Sequence, residues 1–301
     1  MTINFSLRQW EYAIAVADLL SFRKAAERCH VSQPSLSVQL QQLEGSLGVR
    51  LFERDRRRVL VTVAGRPLIE RARRMLIDAS DLMCAARQAQ DPLVGTMRIG
   101  VIPTVSPYLL PRATAALRAK FPRLITEWTE DKTSALSHSV EEGTLDAALL
   151  ALEAKLGDFS HATVAIDPFV LVARPRDPLA SSPTPLRADA LRNADVLFLD
   201  DGHCFREQAL AFCTKAKAHE LAFRATSLPT LTQMVAGGSG VTLLPRLAVA
   251  TEVKRAKLRV RAFADPAPHR TLALVWRKQS PMVDALRQIA GAIRDAYPRT
   301  G

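Results

Sequence analysis

No apolar run in these 301 residues approaches the roughly 20 residues of a membrane span. The N-terminus, Met1 to Trp10, also lacks the apolar segment of a secretory signal peptide. These absences predict a cytoplasmic protein that does not enter a membrane. Cysteine is scarce: Cys29, Cys84, Cys204 and Cys213 make four, too few for a disulfide scaffold, and no cysteine or histidine cluster has zinc spacing. No metal or other cofactor is implied. The glycine motifs of nucleotide enzymes are missing as well. Gly237-Gly238-Ser239-Gly240 has neither the phosphate-loop nor the dinucleotide spacing and reads as a tight helix-to-strand turn. No nucleophile elbow is present, so the chain does not read as an enzyme.

What is present is ordinary soluble composition, 48% hydrophobic and 24% charged, which excludes disorder and collagen and leaves room for two or three domains with real cores. The formal net charge of +11 is compatible with nucleic acid, but it is spread along the chain: residues 1–90 carry 14 Lys/Arg against 9 Asp/Glu, and the remainder 27 against 21. Charge alone decides little.

Pattern decides more. Leu7 to Ala17 reads as an amphipathic helix with Leu7, Trp10, Ile14 and Ala17 on one face, and Ser21 caps a second helix over Phe22 to Cys29. Ser32 then caps a third, with Pro34 in its first turn and Leu36, Leu40, Leu43 and Leu47 as a buried stripe. Its other face carries Gln33, Ser35, Ser37, Gln39, Gln41 and Gln42, short or amide side chains of the kind that reach base edges in a major groove. After Gly48, two short strands, Leu51 to Arg54 and Val59 to Thr62, flank Asp55-Arg56-Arg57-Arg58. Arg50, Arg54, Arg56, Arg57 and Arg58 would give this wing phosphate contacts that position the helix without reading sequence; taken alone, the wing could equally be a solvated turn. From Ala64 to about Gln90 a long helix places Leu68, Ala72, Met75, Ala79, Leu82 and Ala86 alternately four and three apart. That is a coiled-coil seam and predicts a dimer with two recognition helices. Cys84 lies off the seam.

Beyond Asp91-Pro92 and Gly95 the pattern changes to strands alternating with helices: 97–102, 125–128, 147–150, 169–173, 196–199, 241–244 and 272–276. The alternation predicts an α/β domain with largely parallel sheets. Pro168 and Asp265 to Pro268 are candidate crossings between two lobes, and ligands in such folds bind at carboxyl ends of strands, between the lobes. Ile102-Pro103-Thr104 is such an end. The domains are therefore residues 1–64, a winged helix-turn-helix; 65–91, a linker helix; and 92–301, a two-lobed regulatory domain like a periplasmic binding protein.

Within it, Asp200 to Cys213 sets two cysteines at the two ends of one helical stretch. Cys204 falls in the first turn, where free backbone amides favour an anion, and His203 and Arg206 bring positive charge close by, a combination that favours the thiolate. Cys213 follows Ala209-Leu210-Ala211-Phe212 and reads as a buried thiol. In an unbroken helix the two would lie about 13 Å apart on nearly opposite faces, beyond the ~7 Å between Cα atoms that a disulfide allows. Oxidation would have to unwind the segment. The plainer reading is two small buried hydrophobes.

Ala25-Ala26, Val31 to Ser37, Leu43-Glu44 and Leu47 to Arg54 together resemble the N-terminus of the LysR-type transcriptional regulators. Ile102 to Pro111, Asp201 to Cys213, Phe223 to Leu228 and Gly238 to Pro245 extend the resemblance, over nearly the whole chain, to the peroxide-responsive members of that family. The resemblance implies a redox pair, Cys204 attacking hydrogen peroxide and Cys213 resolving it as an intramolecular disulfide. It promotes Thr104, Thr133, His203, Arg206 and Arg270 as groups that bind peroxide or activate the thiolate, and Ser32, Gln33, Pro34, Ser35, Ser37, Gln39 and the wing arginines as contacts to a double-stranded operator. It further implies a dimer of dimers that contacts RNA polymerase when oxidised and controls oxidative-stress genes. Taken alone, Thr104 and Thr133 would be helix caps and Arg270 a surface charge. Two rival functions remain at this level: a regulator that senses a small organic anion in the cleft, and a thiol peroxidase.

Overall fold

The architecture is described by a computed structural model, over residues 4–54, 59–88, 93–154, 156–181 and 184–298. The chain divides into two compact units, one ending at Ala86 and the other beginning at Arg87. No helix among the described residues is long and apolar enough to cross a membrane.

In the first unit α1 (Leu7–Leu19) starts on a reciprocal cap: Gln9 N donates to Ser6 Oγ at 3.2 Å, and Ser6 N to Gln9 Oε1 at 2.9 Å. Ser21 caps α2 (Phe22–Arg28), and Ser32 caps α3 (Gln33–Leu47) by accepting from Ser35 N at 3.3 Å, with Pro34 in the first turn. Leu36, Leu40 and Leu43 are wholly buried with Ala13, Val16 and Ala25. Each such leucine contributes about 1.5–3 kcal/mol of burial. The Glu44 carboxylate reaches from α3 to accept from Leu51 N and Phe52 N at 2.8 and 3.2 Å, which seats β1 (Phe52–Arg54) against its antiparallel partner β2 (Val59–Val61). The expectations for Arg56, Arg57 and Arg58 lie outside the described residues.

Thr62 ties the strands to α4 (Gly65–Gln88), accepting from Gly65 N at 2.8 Å and donating to Arg50 O at 2.7 Å. The expected seam is used in two ways. Ile69 and Ala72 are buried, and Leu68, Met75 and Leu76 pack on the unit's own core, whereas Leu82 and Met83 are 71% and 58% exposed. The first half of the seam therefore closes its own domain, and the second half is open.

The second unit runs β3 (Gly95–Val101), α5 (Ser106–Lys120), β4 (Leu124–Glu130), α6 (Thr133–Glu141), β5 (Ala147–Ala151), β6 (Phe159–Ala173), β7 (Asp195–Leu199), α7 (Cys204–Lys215), β8 (His219–Ala225), α8 (Leu228–Ala236), β9 (Val241–Pro245), α9 (Arg246–Ala256), β10 (Arg259–Ala262), β11 (His269–Arg277) and α10 (Val283–Ala296). Among the described residues the strands form one nine-stranded array in the order β4-β3-β5-β11-β6-β9-β7-β8, with β10 beside β6. The expectation of largely parallel sheets needs correction. Four pairings are parallel and four antiparallel, because β6 is one 15-residue strand that serves both lobes. Its first part pairs with β11 up to Pro168, and from Phe169 it pairs with β9 and β10. Pro168 and the segment before β11 do mark the crossings.

Gly238 and Gly240, between α8 and β9, have φ of 101° and 103°, as the tight turn requires. A Cβ on Gly240 would lie 2.5 Å from the Asp195 carbonyl oxygen, while one on Gly237 would meet nothing closer than 3.4 Å. Gly240→Ala is expected to lower the urea midpoint of the full chain, costing more than about 1 kcal/mol, and Gly237→Ala to lower it much less. Equal effects would show that the turn tolerates a side chain.

Candidate functional site

The site gathers where both lobes meet the crossing strands. Lobe one supplies Thr104, just after β3, and Thr133, the first residue of α6. Lobe two supplies His203 and Cys204, the cap and first residue of α7. Arg270 comes from the start of β11. Thr104, Thr133, His203, Cys204 and Arg270 are all buried, and a cavity of about 380 Å³ opens beside them, lined by Thr104, Tyr108, Lys132, His203, Ser227 and others.

Neither threonine is a helix cap. The cap of α5 is Val105 and that of α6 is Lys132, and in neither helix does a side chain bond the free amides. Nor is Arg270 a surface charge, for it has no exposed area. Its guanidinium donates to Thr104 Oγ1 at 2.7 Å and Thr104 O at 3.2 Å on one side, and through Nε and Nη2 to Asp167 Oδ2 at 3.0 and 2.9 Å on the other. It also lies 5.8 Å from the ring centroid of Phe205, the residue after Cys204.

Cys204 is a free thiol at the head of α7, and Cys213, the tenth residue of the same helix, is a second. Burial pushes the Cys204 thiol above its usual range, opposed by the Thr133 hydroxyl, the Arg270 charge and the Phe205 backbone amide. Thr133 Oγ1 is itself buried without another partner, so it can donate to a thiolate when one forms. Cys213 has no such help, and burial pushes its pKa up to about 12. It is 1% exposed, inside the core of the unit.

Two expectations about charge are corrected. His203 is held below the usual histidine range by burial and then by Lys132, so at neutral pH it offers the thiol a neutral ring rather than a cation. Arg206 points away from the sulfur. It donates to Asp201 Oδ1 at 2.8 Å, Glu220 Oε1 at 2.7 Å and Leu199 O at 3.2 Å, and Arg224 closes the network on Asp201. The cation that favours the thiolate is Arg270, brought from 66 residues away in sequence by the β6–β11 pairing.

Two further groups escaped the sequence reading. Asp167 sits alone among apolar residues of β6, and an acid in such a strand is the signal that something buried needs its charge. Lys132 spans the lobes, donating to Asp201 O at 2.8 Å, and a Cβ on Gly202, whose φ is 87°, would meet its Cδ at 3.0 Å. Glycine is what lets the lysine pass.

In the first unit Ser32, Gln33, Pro34, Ser35 and Arg50 are exposed, as are Gln41 and Gln42, while Ser37 is half-buried. Gln39 faces the unit's interior instead, accepting from Gln9 Nε2 at 3.1 Å. It braces α3 on α1. Arg54 ends β1.

A helix-turn-helix joined to a two-lobed α/β domain with a buried free thiol defines a class, and comparison with known proteins names it. Residues 7–66 match the family model "Bacterial regulatory helix-turn-helix protein, lysR family", and residues 90–298 match "LysR substrate binding domain". The chain belongs to the LysR family of transcriptional regulators, which are DNA-binding regulators and not enzymes. It is 43% identical over 290 residues to the DNA-binding transcriptional dual regulator OxyR of Escherichia coli K12, covering 96% of this chain and 95% of that one. It is also 43% identical over 282 residues, 93% and 90% of the two chains, to a probable hydrogen peroxide-inducible genes activator of Mycobacterium avium. Among solved structures, full-length OxyR of Pseudomonas aeruginosa with a cysteine-to-aspartate substitution aligns at TM-score 0.77 and 31% identity, over 97% of this chain and 96% of that one. A hydrogen-peroxide-bound cysteine-to-serine OxyR of Corynebacterium glutamicum aligns at TM-score 0.66 and 32% identity, over 98% and 95%. Within its family the chain groups with the OxyR proteins.

Two outcomes follow from the geometry. Arg206→Met is expected to leave the alkylation rate of Cys204 within about threefold of wild type while speeding amide exchange along α7, since the arginine braces the helix and not the sulfur; a tenfold slower alkylation would return Arg206 to the thiol. In native reduced protein at pH 8, iodoacetamide should label half-buried Cys29 before Cys204 and leave Cys213 until urea is added, with modification read by peptide mass mapping.

Proposed function

We propose that this chain is a cytoplasmic transcriptional regulator that senses hydrogen peroxide by forming a Cys204–Cys213 disulfide. The observation that carries the reading is the placement of Cys204. A buried thiol heads α7 beside Thr133, with Arg270 and Thr104 behind it, and a second thiol is stored in the core of the same helix.

The chemistry follows from those neighbours. The Cys204 thiolate attacks one peroxide oxygen; the S–O bond forms as the O–O bond breaks, sulfur loses two electrons, and the departing oxygen leaves as hydroxide and becomes water on taking a proton. Thr133 and Thr104 supply hydroxyls to the thiolate and to the oxygens whose bond is breaking, which is where charge develops. The Cys213 thiolate then attacks the sulfenic sulfur, the S–S bond forms and the S–O bond breaks, releasing a second hydroxide. Along an intact α7 the two residues are about 13 Å apart, so this step requires the helix to unwind. Each ~1.4 kcal/mol of that cost makes the disulfide more oxidising by about 30 mV, and a reducing cytosol keeps the pair open until peroxide arrives.

The change in α7 is the signal. The winged helix-turn-helix of residues 1–64 presents Ser32, Gln33, Pro34, Ser35 and Ser37 to the bases of a double-stranded operator, with Arg50, Arg54, Arg56, Arg57 and Arg58 on its phosphates. The linker helix of residues 65–91 pairs two chains through the open half of its seam, where Leu82 and Ala86 are exposed. Two dimers make the working tetramer, and oxidation of the regulatory domain, residues 92–301, shifts its grip on DNA and its contact with RNA polymerase.

The deciding experiment is peptide mass mapping after a brief stoichiometric pulse of hydrogen peroxide, run beside binding to operator duplex at several salt concentrations. A Cys204–Cys213 peptide is expected, and Cys213→Ser should reach the sulfenic acid without locking. A Cys204–Cys84 bridge would assign the resolving thiol elsewhere. Sustained peroxide turnover without salt-dependent duplex binding would mark a peroxidase instead.

A further inference from the structure

Arg270 is a cation with no exposed surface, and such a charge persists only when every donor it carries is matched. Asp167, equally buried, takes two of its four hydrogen bonds, and Thr104 takes the other two. Asp167 Oδ2 takes Nε and Nη2 of Arg270 at 3.0 and 2.9 Å. Its Oδ1 accepts from Leu247 N at 3.0 Å, in the first turn of α9. One carboxylate thus orients the guanidinium and is itself oriented by a helix start.

The orientation matters because of what lies on the other edge. Arginine only donates. With two of its nitrogens locked on Asp167, Arg270 turns Nη1 and Nη2 to Thr104 Oγ1 and Thr104 O. The Thr104 oxygen must therefore accept, and its own hydrogen is left to point elsewhere. Thr104 lines the cavity together with His203, next to Cys204, so the hydrogen is available to a peroxide oxygen there.

We infer that Asp167 is a positioning residue for the peroxide reaction: it acts through Arg270 to set the donor sense of the Thr104 hydroxyl, without touching peroxide or sulfur. The inference rests on the peroxide-sensing reading above. The step it serves is the attack already described, in which the S–O bond forms, the O–O bond breaks and the departing oxygen leaves as hydroxide, the moment at which a donor to that oxygen counts most. Asparagine cannot replace the carboxylate. It has one acceptor oxygen for the donors of Arg270 and Leu247, and its amide would face them with further donors.

The prediction separates positioning from mere structure by using two electrophiles on one thiol. Iodoacetamide needs only the thiolate; peroxide needs the thiolate and the donor. In Asp167→Asn the rate of Cys204 modification by hydrogen peroxide, followed at its own peptide, should fall by about tenfold or more, while the iodoacetamide rate at the same pH does not fall. In a Thr104→Val background the same substitution should cost less than about threefold, since the group it acts through is already gone. Parallel loss of both rates, no loss of either, or the full loss of peroxide reactivity in the Thr104→Val background overturns the inference. If Asp167→Asn does not fold, Asp167→Glu keeps the charge and moves it by one methylene, and the same split between electrophiles is expected. A wild-type Cys204 no faster with peroxide than free cysteine would sink the sensor reading and this inference with it; a fast wild type matched by an equally fast Asp167 variant sinks only the inference.

Discussion

The regulatory domain is organised around a charge it keeps away from water. Arg270 and Asp167 form an ion pair with both side chains wholly buried, and removing one partner of such a pair costs about 3–5 kcal/mol because the other is left unmatched. The pair lies where β6 and β11 cross between lobes. From it hydrogen bonds run to Thr104 at the end of β3 and to the first turn of α9. Parts of both lobes therefore take their position from one carboxylate and one guanidinium, and the same guanidinium acts on the Cys204 thiol through its charge.

Against that rigid frame α7 is fastened at its beginning and packed at its end. Asp201, Arg206, Glu220 and Arg224 clamp the first turn to β8, and Phe205 packs edge-on against Phe169 with centroids 5.0 Å apart. Toward the other end Cys213 is in the core, and Phe212 meets Phe263 at 5.0 Å. A disulfide between Cys204 and Cys213 cannot form without giving up part of this. The covalent bond and the helix are alternatives, which is the bistability a switch needs. Burial also disfavours both thiolates.

The DNA-binding unit is simpler in physical terms. Its apolar stripe of Leu36, Leu40 and Leu43 turns one side of α3 inward, which leaves Gln33, Ser35, Gln41 and Gln42 outward by helical geometry alone. Gln39 is the exception, since α1 passes close enough for Gln9 to claim it. The linker helix shows the same competition. Ile69, Ala72 and Met75 are drawn into their own domain, whereas Leu82 and Met83 are exposed.

Much of this was legible in the residues, and the division has a physical cause. Local signals are read within a turn or two of the chain: the caps at Ser21 and Ser32, the leucine stripe of α3, the glycine turn before β9, the strand segments, and the placement of two cysteines on one helix. Those depend on backbone geometry and on the spacing of apolar groups, so the linear order determined them. Charge partnership is not local. His203 and Arg206 stand beside Cys204 in sequence, yet burial and Lys132 keep the first neutral and Asp201 with Glu220 takes the second. Arg270, 66 positions along the chain, supplies the field because β11 pairs with β6, and Asp167 matters because that pairing puts it opposite. The sequence by itself determined most of the elements, the exposed face of α3 and the pair of thiols, but not β8, β10 or the full length of β6. Only the tertiary structure decided which charge meets the sulfur, because a Coulomb interaction depends on distance and burial, and neither is set until the strands have crossed.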